Sequence, residues 1–341
     1  MRLYFSTVIR AAPPSQGGTL VSLDWATKRV ESTTVIAPTD PSFEDLNPRG
    51  NTRGGRGIAR VGDDLVVASY HTLLRFGPGL ELRGRASNGL MVGIHEVDAT
   101  GDGASIWIAS TAVDAALRVR VDNGEILDQR WPREHPGIQA ALGVAPRPID
   151  KSADNRGRHL EPVESTDPRH LHLNAVNARG GRLLALFHSQ AVIADLDSGK
   201  VLVRHPSLHR AHNLVVTEER VAIVNDTYGR TIRFFDLASG DLVRTIDLMS
   251  FPWVQDLDRS FGRVSPVARI RRRMGLGRPV VARPLFVRGL ARADGRLYVG
   301  LSPASILEID EASGRLVDCY GHSRNVNEAV HGLYVEPADP A

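Results

Sequence analysis

Six short phrases in this chain begin with a side chain that can bind a metal or an anion. They are Arg56-Gly57-Ile58-Ala59, His95-Glu96-Val97-Asp98, His172-Leu173-Asn174-Ala175, His212-Asn213-Leu214-Val215, Arg288-Gly289-Leu290-Ala291 and His331-Gly332-Leu333-Tyr334. Neutral imidazole is a common ligand for divalent transition metals, and the guanidinium fork matches carboxylate and phosphate. Brought onto one axis, His95, His172, His212 and His331 would hold such a metal, iron foremost, with zinc, manganese or copper as alternatives. Arg56 and Arg288 would orient an anionic substrate beside it.

The spacing of the phrases predicts the elements that would converge them. Consecutive phrases are 39 residues apart from Arg56 to His95, 40 from His172 to His212 and 43 from Arg288 to His331. The other two gaps, 77 from His95 to His172 and 76 from His212 to Arg288, are nearly double. A period near forty with several short strands per unit marks a radial array of β-sheets. The unit from His212 reads as strands His212–Val216, Val221–Val224, Thr231–Asp236 and Leu242–Leu248, separated by polar and Gly-containing turns. The N-terminal part supplies only three strands, Leu3–Thr7, Gly18–Asp24 and Arg29–Ala37, and His331–Val335 is a lone strand at the other end. Pairing these completes a sixth unit and removes the open edge. The expected architecture is therefore an all-β, six-bladed β-propeller forming a single domain over residues 1–341. The C-terminal strand closes it on the N-terminal strands. The unit at 88–130 is the least regular.

Residues 131–169 and 250–284 fill the two doubled gaps. As connections from an outer strand to the next inner strand, they should emerge on the face where the ring side chains lie, as two lids over it. The second carries eight arginines between Arg259 and Arg283 and no acid. Its 267–274 stretch is compatible with a helical turn, with Arg271 and Arg272 as further substrate-binding cations. The second strand of each blade returns to the same mouth, which offers His188 and Asp226 as extra ligands or general acid–base groups. Turn chemistry is the alternative for Asn225-Asp226. The pair His170-x-His172 is a further candidate for shared ligation.

Composition bounds the partners. A net charge of +3 is mild for this length, so a polyanionic partner would have to be met by local clusters. No aromatic interleaving accompanies the arginines, which disfavours nucleic acid. The lone Cys319 allows no intramolecular disulfide and no cysteine-based zinc site. No stretch is apolar enough to span a bilayer, and the N-terminus lacks a signal-peptide pattern, so the expected location is cytoplasmic. Nothing in the composition reports oligomeric state.

Two segments carry a family resemblance. Val224-Asn-Asp-Thr-Tyr-Gly-Arg-Thr-Ile-Arg-Phe-Phe-Asp236 and Gly289-Leu-Ala-Arg-Ala-Asp-Gly-Arg-Leu-Tyr-Val299 resemble blades of the gluconolactonase, senescence-marker-protein and strictosidine-synthase group of six-bladed propellers. They also resemble a little-characterised bacterial propeller family with a His-Leu-Asn inner-strand phrase and a later Arg-Gly-Leu-Ala phrase. The resemblance covers residues 170–335 at the level of fold. It implies a calcium or zinc site at the channel mouth held by carboxylate and Asn groups; this chain has His or Arg at some of those places.

These readings predict a metal-dependent enzyme acting on a small anionic substrate at a His/Arg-lined mouth, by hydrolysis, isomerisation or oxidation. The alternative is a non-catalytic scaffold that presents its Arg-rich face to an acidic protein or another polyanionic partner.

Overall fold

The computed structural model describes residues 1–10, 12, 16–37, 54–157, 170–261, 267, 270, 274 and 285–336. Within them the chain forms six four-stranded antiparallel sheets. The first sheet is built from β1 (Arg2–Ile9), β2 (Gly18–Asp24), β3 (Arg29–Ile36) and the last strand, β24 (Glu328–Val335), in the order β24-β1-β2-β3. The second holds β4 (Ile58–Val61), β5 (Asp64–Ala68), β6 (Leu73–Phe76) and β7 (Leu82–Ala86). The third holds β8 (Ile94–Ala99), β9 (Ser105–Ser110), β10 (Ala115–Arg120) and β11 (Ile126–Arg130). The fourth holds β12 (Leu173–Arg179), β13 (Arg182–Phe187), β14 (Val192–Asp195) and β15 (Val201–Arg204). The fifth holds β16 (His212–Val216), β17 (Val221–Asp226), β18 (Thr231–Asp236) and β19 (Leu242–Asp247). The sixth holds β20 (Leu290–Ala293), β21 (Arg296–Leu301), β22 (Ser305–Asp310) and β23 (Leu316–Gly321).

The innermost strands touch one another in a closed circle, β24 to β4, β8, β12, β16, β20 and back to β24. This is the six-bladed propeller anticipated from the repeat, and the unit at 88–130 is as regular as the rest. Each pair of adjacent blades traps its own apolar cluster. One holds Ile94 and Leu117 of the third blade against Ala59 and Leu73 of the second, and another holds Phe5 and Leu333 against Tyr298 and Ile306. Six such clusters serve six interfaces. The second strand of each blade is therefore buried almost throughout, whereas outermost strands such as β3 and β23 are largely exposed. The outer hairpins reuse one turn: Asp236 Oδ1 accepts from the N–H groups of Ala238 and Ser239, and Gly240 follows at a φ of 81°. The same Asp-x-x-Ser-Gly turn recurs at Asp195 and Asp310.

The closing pair is β1 and β24, joined from Leu3↔Val335 to Ile9↔Glu328. Ser6 locks it to the next blade, its Oγ donating to Arg56 O at 2.7 Å and accepting from the Gly332 N–H at 3.0 Å.

The insertions contain helices that strand periodicity alone did not reveal. In the first, α1 (Pro136–Leu142) is capped by the His135 side chain, which accepts from the Gly137 N–H. Ile138 packs with Val176 and Val192, so α1 lies on the flank of the fourth blade and not over the mouth. The chain then returns across the mouth face, where Arg147 Nη1 donates to Ala112 O and the Asn155 N–H to Gly89 O. In the second, α2 (Pro252–Phe261) buries Val254 against Leu285 and Val287 at the entrance of the sixth blade. Arg271 and Arg272 lie outside the described residues, as does most of the 267–274 stretch. Among the described residues, no helix is long and apolar enough to cross a membrane.

Closure can be tested at Gly332, where an added Cβ would sit 2.0 Å from Arg56 O and 2.7 Å from Ile58 Cγ1. Gly332→Ala should destabilise the fold by about 1–3 kcal/mol in denaturant titration. Gly321→Ala, whose methyl would meet only Trp253 at 4.0 Å, should change it little. Equal effects would mean that the seam carries no special constraint.

Candidate functional site

Each innermost strand is irregular at the ring position or within two residues of it. In the third blade, Ile94 faces Ser110 and Val97 faces Ile108, leaving His95 and Glu96 opposite a single partner. His331 is the unpaired residue between Gly332 and Val330, and Asn174 the one between Leu173 and Ala175. In the second and sixth blades the pattern is two against one: Arg56 N–H and Gly57 O both bond Ala68, and Arg288 N–H and Gly289 O both bond Gly300. A bulge re-aims a side chain that regular pleating would direct into a neighbouring blade. The irregularity falls on the ring residue in four blades and one or two residues after His172 and His212 in the other two, and the ring residues converge. Gly289 takes a φ of 77° to do so, and His172 and Asn213 adopt the same left-handed region at 54° and 59°.

The four expected imidazoles come together. His95 is central, with ring centres 5.6 Å from His172, 6.0 Å from His212 and 5.9 Å from His331. His188 joins them, 4.2 Å from His172 and 6.0 Å from His212, and His170 lies 5.4 Å from His172. Arg56 and Arg288 share the circle; Arg56 lies over the Tyr70 ring at 4.9 Å and donates through Nη1 to Ile94 O. Although protein encloses them, His95, Glu96, His172 and Arg288 keep some water-accessible surface.

Beneath the ring lies a layer of polar groups. Glu96 Oε1 accepts from Asn213 Nδ2 at 2.6 Å, and Asn213 Oδ1 accepts from Asn225 Nδ2 at 2.9 Å and from the Gly289 N–H at 3.0 Å. Asn174 Nδ2 donates to Ala211 O, Thr111 Oγ1 to Leu173 O, and Thr227 Oγ1 to Val287 O. Each of these three ties one blade to the start of the next. Asn213, Asn174 and Thr227 were not among the expected site residues; the one signal was that two of them directly follow or neighbour a ring His.

The outer nitrogens of two histidines are fixed. His212 Nδ1 donates to Arg210 O at 3.1 Å and reaches Thr227 Oγ1 at 2.8 Å, which leaves Nε2 as a bare lone pair. His170 Nε2 donates to Thr111 O at 3.1 Å. By contrast His95 Nδ1, His170 Nδ1 and both ring nitrogens of His331 are buried without a hydrogen-bond partner. Asp226 is occupied in its own hairpin: Oδ1 accepts from the Gly229 N–H, and Oδ2 faces Arg233 at 3.3 Å. Its surroundings are those of the turn alternative.

Metal ligation is constrained by this spacing. With metal–nitrogen bonds of about 2.0–2.1 Å, two imidazoles on a tetrahedral ion have centres about 5.2 Å apart, closer than any His95 pair here. Among the described residues, no three His, Cys, Asp or Glu side chains are arranged to hold a metal ion. The cause is geometric, since each imidazole arrives from a different blade and the blade-to-blade distance sets its separation from the next.

Burial pushes His95, His172, His212 and His331 well below the usual imidazole pKa, and neighbouring guanidiniums and imidazoles add to the effect. His188 is lowered to about 3, by burial first and then by His209, Arg288 and Arg210. Burial pushes Glu96 up to about 8, against the pull of Arg288 and Arg56, and Asp98 up to about 6. At neutral pH the ring thus consists of neutral imidazoles and a neutral Glu96 around charged guanidiniums.

The architecture is shared with known structures. The chain is similar to a protein of unknown function from Bacteroides caccae, with a TM-score of 0.58 and 11% identity over 97% of this chain and 97% of that one. It is also similar to the β-propeller domain of Myceliophteria thermophila Cps50 (Swd1), with a TM-score of 0.48 and 12% identity over 96% and 95% of the two chains. The likeness is one of fold. No family model matches the chain, and no curated protein matches it. Of the resemblance to the gluconolactonase group, what the comparisons support is the propeller architecture.

The pKa shifts give a signed pH dependence. The imidazoles are lowered from 6.5, so the unfolded chain takes up protons below pH 6.5 that the folded chain refuses, and stability falls on acidification. Glu96 and Asp98 are raised, so they oppose that loss between about pH 4 and their folded values, and Glu96 alone lowers stability as pH rises from 6.5 to about 8. Five imidazoles outweigh two carboxyls. Chelator-treated protein should be most stable near pH 7 and lose stability toward pH 5 with uptake of about two or more protons, read from unfolding free energy against pH. A flat profile from pH 7 to 5 would show that the imidazoles are not buried in neutral form.

Proposed function

We propose that the His/Arg mouth binds a small anionic molecule and that the chain is an enzyme acting on it. The observation that carries this reading is the convergence of Arg56 and Arg288 with five imidazoles, of which His95, His172 and His188 are part-exposed, as is Arg288. Guanidiniums supply the charge for an anion, and neutral imidazoles supply proton donors and acceptors without cancelling that charge. His188, touching both His172 and the rim, is placed to move a proton to or from a bound molecule.

A divalent transition metal held by His95, His172, His212 and His331 is proposed as part of this reading. Its support is the set of unpartnered ring nitrogens on His95 and His331 and the bare Nε2 of His212. The rings would have to turn inward to close on the ion. The metal would supply Lewis acidity or an activated water. The scaffold alternative depends on the arginines between 259 and 283, most of which lie outside the described residues.

Elemental analysis of protein purified without chelator or nickel affinity tests the metal. About one equivalent is expected, and His172→Ala or His212→Ala should abolish uptake while circular dichroism remains unchanged. Less than about 0.1 equivalent, with no uptake on add-back, would remove the metal from the reading and leave an anion site that works with protein groups alone.

A further inference from the structure

On the rim between the fifth and sixth blades, three arginines are seated on two aromatic rings. Arg288 Cζ lies 5.4 Å from the centre of Phe286, and Arg10 Cζ approaches the same ring at 5.5 Å. Arg210 Cζ lies 4.9 Å from the centre of Tyr228. Tyr228 and Phe286 meet edge to face at 5.9 Å, which makes the cluster continuous. Stacking fixes the plane of a guanidinium while leaving its charge and its in-plane N–H edge unspent.

Elsewhere the blades hold arginines differently. Arg182 faces Asp195, Arg233 faces Asp226 and Arg292 faces Glu311. Arg288 and Arg210 make no ion pair among the described residues, and Arg288 Nε is buried without a partner. The nearby Glu96 carboxyl is already bonded to Asn213.

Donors reach this place from several directions. His188 lies 5.9 Å from His209 and accepts through its carbonyl from the Arg210 N–H. His331, only 2% exposed, presents two unpartnered ring nitrogens from the terminal blade. Two cations and imidazoles arriving from different blades suit a group with oxygens pointing several ways and two charges to neutralise. A carboxylate, planar and singly charged, meets neither condition.

We propose that the rim cluster of Arg288 and Arg210 on Phe286 and Tyr228 is the seat of a phosphate monoester. The phosphoryl oxygens lie on the two guanidiniums and the neighbouring imidazoles, and a flat organic part lies on the exposed Tyr228 ring. This inference rests on the anion-site reading above and is independent of the metal.

Titration calorimetry on chelator-treated protein near pH 8, where a phosphate monoester carries about two charges, tests it with three probes. Phenyl phosphate should bind more tightly than inorganic phosphate, and phenyl sulfate, of the same shape with one charge, about tenfold more weakly than phenyl phosphate. Arg288→Gln and the surface change Arg210→Gln should each weaken phenyl phosphate about tenfold, with Arg288→Lys intermediate. Tyr228→Ala should weaken phenyl phosphate and leave inorganic phosphate unchanged. Equal binding of phenyl sulfate and phenyl phosphate, or Arg210→Gln within twofold of the parent, overturns the phosphate assignment alone. No binding of any of the three overturns the anion site as well.

Discussion

A sheet that buries both faces cannot exist by itself. Every blade here hides its middle strands between two neighbours, and each of the six apolar clusters is built from side chains of two blades. No blade is complete until the circle is, so the pairing of β1 with β24 underwrites every other interface. The hydrophobic term favouring this arrangement is spread over six similar seams, and no one of them dominates.

Closing the circle creates a crowded axis. Six inner strands bring six side chains to one level, and apolar residues there would seal the centre. Bulged backbones carrying polar side chains leave it open instead. The electrostatic consequence follows from the choice of residues. Two guanidiniums and five imidazoles could not all be charged at such proximity in a site that desolvates them, so the imidazoles give up their protons, and the far more basic guanidiniums keep theirs. Burial and the Arg10 and Arg56 charges make Arg288 the most burdened cation of the mouth. An anion would relieve that burden.

Much of this was legible in the sequence because period and alternation are local properties. The forty-residue spacing, the three orphan strands before Ala37 and the lone strand at His331 together specified six blades and their closure. The equivalence of Arg56, His95, His172, His212, Arg288 and His331 was legible for the same reason. What escaped depends on distances between blades. The spacing of the imidazoles around His95, wider than a metal requires, is set by sheet-to-sheet packing that no phrase records. The Glu96–Asn213–Asn225 layer arises because bulges rotate residues next to the ring inward, and strand alternation would have assigned Glu96 to a blade face. Phe286, Tyr228, Arg210 and Arg10 come from separate segments and meet only on the rim. The prolines of 131–169 interrupt any strand alternation, yet Pro136 sits at the first turn of α1, where a missing N–H costs nothing.

The terminal seam also sets a timetable. Gly332 and Ser6, which share a hydrogen bond across it, are 326 residues apart along the chain. At ribosomal speeds of about 5–20 residues per second, β1 must wait on the order of 20–60 s for its inner partner to be made. Throughout that interval the first blade offers an unpaired edge, so the yield of the ring form depends on how that edge is shielded during synthesis as well as on equilibrium stability.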